Sequence, residues 1–170
     1  MGNGFRKINA IEIKGNPFEK IGEGWMLITA GNLDEFNTMT ASWGTLGVLW
    51  NLNVAICFVR PQRYTYQFME KFNRFTLSFF KEKYREVLKF CGSHSGRNVD
   101  KIAQTNIHPL LFSDNAVGFQ EAELTIVCNK IYSHQMSSEM FENLNPDTVY
   151  PLKDYHRMYI GEIDGCYERI

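Results

Sequence analysis

No stretch of this 170-residue chain approaches the ~20 consecutive apolar residues that a membrane-spanning helix needs. The opening Met1-Gly2-Asn3-Gly4-Phe5-Arg6 has no apolar run of signal-peptide length, and Arg6 stands where a myristoylation signal has Ser or Thr. The cysteines Cys57, Cys91, Cys128 and Cys166 are widely spaced without a CxxC pair, which reads as reduced thiols. An excess of one charge is also missing. Eighteen Lys and Arg against 19 Asp and Glu leave a net charge of −1, too little to coat a nucleic acid. These absences predict a soluble, cytoplasmic protein that engages neither nucleic acid nor membrane.

Common catalytic signatures are absent as well. Gly22-Glu23-Gly24 begins a GxG but lacks the third glycine and the strand-to-helix setting of a dinucleotide fingerprint. No GxxxxGK[ST] occurs. Gly92-Ser93-His94-Ser95-Gly96 has the outline of a nucleophile elbow, yet His94 occupies the place of the serine. His94, His108, His134 and His156 lack metal-ligand spacing. Any enzymatic chemistry is therefore expected to belong to a bound cofactor.

What is present is aromatic: 14% of the chain, including 13 Phe and 8 Tyr, suits pleated surfaces and the walls of a flat ligand's site. Length favours a single domain, 1–170, burying roughly two thirds of its unfolded surface. Trp25 to Ala30 reads as a strand ended by Gly31-Asn32, and Asn37 to Trp43 as a second. Val54 to Val59 reads as a strand buried on both faces, stopped by Pro61. Tyr64, Phe68 and Phe72 recur every four residues and predict a short helix, followed by a strand over Arg74 to Phe80. Tyr84, Val87, Leu88 and Cys91 predict a second helix closed by Gly92, and Val99 to Gln104 a further turn or two. Glu121 to Ser133 suits a long, bent strand with a bulge, residues 134–154 are irregular, and His156 to Ile163 is a final strand. Strands with two short helices, lacking β-α alternation, favour a closed or nearly closed antiparallel barrel over a doubly wound sheet.

Three segments carry polar chemistry. Asn37-Thr38-Met39-Thr40-Ala41-Ser42-Trp43 sets small hydroxyls and backbone N–H groups along one strand, suited to a heterocycle's carbonyls or a phosphate. It also fits a Thr-rich edge strand with a buried Trp. Arg60-Pro61-Gln62-Arg63-Tyr64-Thr65 places two guanidiniums at a helix start, a setting for a phosphate dianion or for solvated, salt-bridged arginines. Cys91 to Lys101 is a Gly-rich loop with Arg97 and Lys101, readable as a ligand loop or as a plain loop before an Asp100-capped helix. Together they describe a site for something planar, apolar and anionic.

The runs TASWGTLGVLW (40–50), VRPQRYTYQFME (59–70), FTLSFF (75–80), CGSHSGRNVDK (91–101) and HRMYIGEI (156–163) resemble, in order and spacing, the flavin reductase and flavoredoxin family. The resemblance covers most of residues 16–163. It implies a mainly β fold with short helices, an antiparallel split β-barrel of Greek-key character, and a homodimer holding FMN near the subunit interface. It implies that Asn37, Thr38, Met39, Thr40, Ala41, Ser42 and Trp43 border the flavin ring and phosphate end. Arg60, Pro61, Arg63, Tyr64 and Thr65 would contact phosphate and ribityl, with Ser95, Gly96, Arg97 and Lys101 from the SGR-containing loop. His156 would lie near the ring; as a bare strand-start residue it would face solvent. No side chain is implied as catalytic, since the flavin carries the chemistry. One departure is Asn98, where the family pattern suggests an acidic residue. The family activity implied is NAD(P)H-dependent flavin reduction, with free flavin or a protein as acceptor. A flavoredoxin-type electron carrier, or a non-catalytic FMN-binding or ligand-free scaffold, are the other readings.

Overall fold

Met26, Ile28 and Ala30 alternate with Leu27 and Thr29, and all five are buried, because the strand that carries them is covered on both faces. A computed structural model describes residues 4–170. In chain order its strands and α-helices are β1 Phe5–Ile8, β2 Met26–Gly31, β3 Phe36–Ala41, β4 Gly44–Leu49, β5 Leu52–Val59, α1 Thr65–Lys71, β6 Arg74–Phe79, α2 Arg85–Ser93, α3 Lys101–Thr105, β7 Pro109–Leu111, β8 Val117–Phe119, β9 Leu124–Gln135, α4 Pro146–Val149 and β10 Arg157–Arg169. One antiparallel sheet runs in the order β3-β2-β6-β9-β10-β5-β4, and β1 also pairs with β10. The short ribbon of β7 and β8 lies apart from it.

The sheet curls round a core that includes Met26, Ile28, Met39, Ala55, Cys57, Phe75, Leu77, Ile126, Cys128 and Tyr159. Its strand residues alternate with outward-facing ones, as a period of two requires. On the outside, Leu27 and Phe80 meet Leu88, Cys91, Ile107 and Phe119, so α2 and β8 form a second layer over β2 and β6. This explains why β2 lacks a polar face. The helix α2 takes its place by amphipathicity, burying Leu88 and Cys91 while Lys89 stays exposed.

Curvature comes from two register shifts between β9 and β10. One skips Ile131, between the pairs Ile160–Tyr132 and Gly161–Lys130; the other skips Asp164, between Ile163–Cys128 and Gly165–Val127. Each extra residue bends its strand. The bend lets one edge of β10 pair first with β5 and then with β1. The expected bulge in the long strand is therefore present, and β10 runs on to Arg169 rather than stopping at Ile163.

The sheet remains split. Its edge strands β3 and β4 are consecutive in the chain, joined only by Ser42 and Trp43, yet they do not pair with each other. Three peptide steps hold Ala41 and Gly44 within about 11 Å. A Cβ added at Gly44 would stand 3.0 Å from the Met26 side chain and 2.8 Å from the Ile56 carbonyl, so the two ends of the sheet already touch here.

Sequence patterning did not separate β4 from its neighbours and did not mark β1, β7 or β8. The β4–β5 hairpin turns on Trp50 and Asn51, both at positive φ (53° and 60°). That is the geometry of a two-residue primed turn, for which a tryptophan gives no warning. Gly92 also differs from expectation. It lies inside the last turn of α2, with no left-handed closure, where a Cβ would stand 3.3 Å from that of Thr40.

Gly161 sits at the first register shift, where a Cβ would be 2.6 Å from the Cys128 Cβ and 2.7 Å from the Phe75 ring. Gly161→Ala is expected to destabilise by about 1–3 kcal/mol through overpacking. Gly47→Ala, with nothing within 4 Å, should change stability little; urea midpoints of the two variants test the contrast.

Candidate functional site

A cleft of about 350 Å³ opens at the seam between β3 and β4, within the size range of small-molecule sites. The end of β3 and the linker supply Met39, Thr40, Ala41, Ser42 and Trp43. The end of β5 and the turn after it supply Phe58, Arg60, Gln62 and Arg63; Gly92 and His156 complete the lining. Because neither edge strand has a partner across the seam, their outer backbone groups are free of ladder bonds, although Lys101 takes the Thr38 carbonyl of β3.

One wall is aromatic. The Trp43 ring lies 5.0 Å from that of His156, and Phe58 lies 6.4 Å from it at 85°. Trp43 is 47% exposed, so it is a cleft wall and not a core residue. His156 is buried, correcting the solvent-facing alternative. Its Nδ1 shares a 2.8 Å hydrogen bond with the Tyr150 hydroxyl. Burial, reinforced by the nearby Arg60 charge and opposed by Asp154, pushes its pKa down to about 4. The ring is neutral at neutral pH.

The cations divide by partner. Arg60 donates to the Asp154 carboxylate at 2.6 Å, and its guanidinium lies 5.5 Å from the Tyr150 ring centre. Arg63 donates only to the Gly92 carbonyl, at 2.8 Å, and forms no ion pair among the described residues. Burial, then the Arg60 charge, lowers its pKa. Lys101 is buried and donates to the carbonyls of Thr38 and Cys91, both at 2.8 Å. Burial, with Cys91 opposing and Arg63 assisting, brings it down to about 8. Lys101 and Arg63 thus satisfy two carbonyls that the C-terminus of α2 leaves open, where a positive charge is also favoured by the helix dipole.

The expected site residues fall into more than one place. Met39 to Trp43, Arg60, Arg63 and His156 gather at the seam. Asn37, Thr38, Tyr64, Gly96, Arg97 and Lys101 border a neighbouring cleft of about 610 Å³. Thr38 and Met39, like Arg63 and Tyr64, are consecutive residues facing opposite clefts. Thr65 is fully buried and accepts from Asn37 Nδ2 at 2.7 Å, pinning α1 to β3. Pro61 is exposed, and the Ser95 hydroxyl accepts its own loop's Arg97 N–H. Arg97 donates to the Gln62 carbonyl at 3.0 Å and covers the Tyr64 ring. Asn98 donates its N–H to the Ser95 carbonyl, so the departure leaves the turn intact. Phe58, Gln62 and Gly92 are lining residues that the sequence did not single out. For Phe58 a signal existed: in β5 it alternates with the buried Cys57 and Val59.

Among the described residues, no helix is long and apolar enough to cross a membrane, and no group of His, Cys, Asp or Glu is arranged to hold a metal. All four cysteines are free and buried.

No curated protein sequence matches this chain. Solved structures do. An FMN-binding protein from Thermus thermophilus with bound p-hydroxybenzaldehyde superposes with a TM-score of 0.69 at 18% identity, covering 96% of this chain and 82% of that one. Flavoredoxin from Methanosarcina acetivorans gives 0.69 at 18%, covering 95% and 76%. The NADH:FAD oxidoreductase of Streptomyces globisporus C-1027 gives 0.63 at 16%, covering 85% and 75%. At these identities the likeness establishes the fold, an antiparallel split barrel. The family described as flavin reductase like domain matches residues 18–169. Because that match runs through every strand from β2 to β10, the chain belongs to the family of flavin reductase like domains.

Proposed function

We propose that this chain binds FMN in the seam cleft and works as an NAD(P)H-dependent flavin oxidoreductase, passing electrons to free flavin or to a partner protein. The observation that carries the reading is Arg63, a part-buried guanidinium with no carboxylate among the described residues, beside an aromatic wall. A buried charge without a counter-ion is unfavourable, and a ligand phosphate supplies one. The relatives' names, an FMN-binding protein and an NADH:FAD oxidoreductase, support the same assignment.

The residues present fit such a ligand. Arg63 would hold the phosphate, with the Ser42 hydroxyl and the unpaired N–H groups of β3 as further donors. Trp43 and Phe58 offer apolar surface to the ring and keep water from one side of it. His156, neutral and braced through Nδ1 by Tyr150, presents an uncharged ring edge to the cleft. FMN, when bound, supplies reversible two-electron redox chemistry, with a nicotinamide nucleotide as donor. Asn37, Thr38, Tyr64, Gly96, Arg97 and Lys101 shape the second cleft; their contribution to the site is to hold β3 and the turn at residues 60–64 in register. We further place the chain in the cytoplasm as one domain that forms a homodimer. Exposed Val48, Trp50 and Tyr132, with the last two rings 6.4 Å apart, provide an apolar patch for that contact.

Purified protein mixed with FMN is expected to turn yellow and to quench flavin fluorescence. In stopped flow, NADH or NADPH should then bleach the bound flavin rapidly. Bleaching that is slow with both nucleotides but fast with a reduced protein donor would select the electron-carrier reading. A protein that neither colours nor quenches would refute FMN binding.

The buried His156 also sets a pH dependence. Between pH 6.5 and about 4 the unfolded chain binds a proton that the folded chain refuses, so its contribution is complete above pH 6.5 and is lost as pH falls toward 4. The loss is at most about 3 kcal/mol. Urea unfolding at pH 7 and pH 4.5 should show a smaller difference in His156→Gln than in the wild type. Trp50→Glu should shift a homodimer toward monomer in sedimentation velocity.

A further inference from the structure

The chain between β9 and β10, residues 136–156, leaves the barrel and returns directly behind the cleft. It is organised round Tyr150, which is buried and packs on Phe141, Tyr155 and His156. Two attachments tie it to the cleft wall. One is the Tyr150 hydroxyl on His156 Nδ1. The other is Asp154, whose Oδ2 accepts from Arg60 Nη1 at 2.6 Å and from Gln62 Nε2 at 2.5 Å. The Asp154 side chain is 14% exposed, and its Oδ1 is buried without a hydrogen-bond partner. The carboxylate is therefore committed through Oδ2 to these two groups on the turn after β5.

That commitment separates two arginines that the sequence presents as equivalents. Arg60 is neutralised at contact distance, and its guanidinium lies near the Tyr150 ring, 5.5 Å from its centre. A ligand phosphate would have to break a charge-assisted bond to reach it. Arg63 has given up one N–H to a neutral carbonyl and keeps its charge uncompensated among the described residues. We propose that Asp154 is a positioning residue that withdraws Arg60 from anion binding, leaving Arg63 as the guanidinium that discriminates a phosphorylated flavin from an unphosphorylated one. Arg60 and Gln62 then serve as the anchor of the 136–156 segment, which buttresses His156. The inference rests on the FMN reading above and assigns the roles within it.

The test is the ratio of riboflavin to FMN dissociation constants, from flavin-fluorescence quenching titrations of the wild type, Arg63→Gln, Arg60→Gln and Asp154→Asn. A variant that merely loosens the fold weakens both flavins together and leaves the ratio alone. The wild-type ratio should be about tenfold or more, the scale of one charge-assisted hydrogen bond. Arg63→Gln should bring it close to unity. Arg60→Gln should weaken both flavins by the same factor. Asp154→Asn, by freeing the second guanidinium, should raise the ratio about fivefold or more, and Asp154→Glu should restore the wild-type value. The inference is overturned if Arg60→Gln collapses the ratio as Arg63→Gln does, if Asp154→Asn leaves it unchanged, or if the wild type binds both flavins equally. A wild type that binds neither flavin overturns the FMN reading itself.

Discussion

The two ends of the main sheet approach within a dipeptide linker of each other and do not pair. Everything functional follows from that. A barrel closed at β3 and β4 would consume the backbone groups of both edge strands and leave no cleft. Here Ser42 and Trp43 span the gap, Gly44 allows β4 to start against the Met26 side chain, and the bulges at Ile131 and Asp164 bend β9 and β10 enough to bring the ends round. The seam is thus a consequence of how β10 is shared, with β5 on part of one edge and β1 on the rest.

Cations near the seam are subject to a second constraint, the C-terminus of α2. Its last carbonyls need donors, and Lys101 meets that of Cys91 while Arg63 meets that of Gly92; one turn earlier Thr40 adds a 2.5 Å bond to the Leu88 carbonyl. A lysine that looks in sequence like a ligand residue is, in the fold, a bolt between β3 and α2. Of these donors Arg63 alone also borders the seam cleft as a cation. Structural and ligand-facing roles are therefore not alternatives for it: the same side chain caps a helix and charges a cleft.

Aromatic residues divide in a similar way. Phe75, Phe79 and Tyr159 fill the barrel, and the Tyr159 hydroxyl offsets its desolvation by donating to Glu70 at 2.6 Å. Trp43 and Phe58 have a face left over, because the β3–β4 linker and the end of β5 that carry them sit at the split end of the sheet. Their exposure is a property of sheet topology and not of hydropathy.

Period-two patterning, the recurrence of Tyr64, Phe68 and Phe72 every four residues, and the Asp100 cap were enough to locate β2, β3, β5, β6, α1, α2, α3 and β9 from sequence, since each depends on neighbours within a few positions. The same local logic grouped Thr40, Ser42, Arg60 and Arg63 as candidates for one anionic ligand. What it could not separate was Arg60 from Arg63, or seam residues from those of the neighbouring cleft. Consecutive residues such as Thr38 and Met39 differ only in which face they present, and Arg60 is neutralised by a carboxylate 94 positions away. The chain by itself determined which side chains could carry charge, hydroxyls and aromatic surface. Only the tertiary structure decided which of them remained unpaired, because pairing depends on long-range contacts that no local pattern encodes.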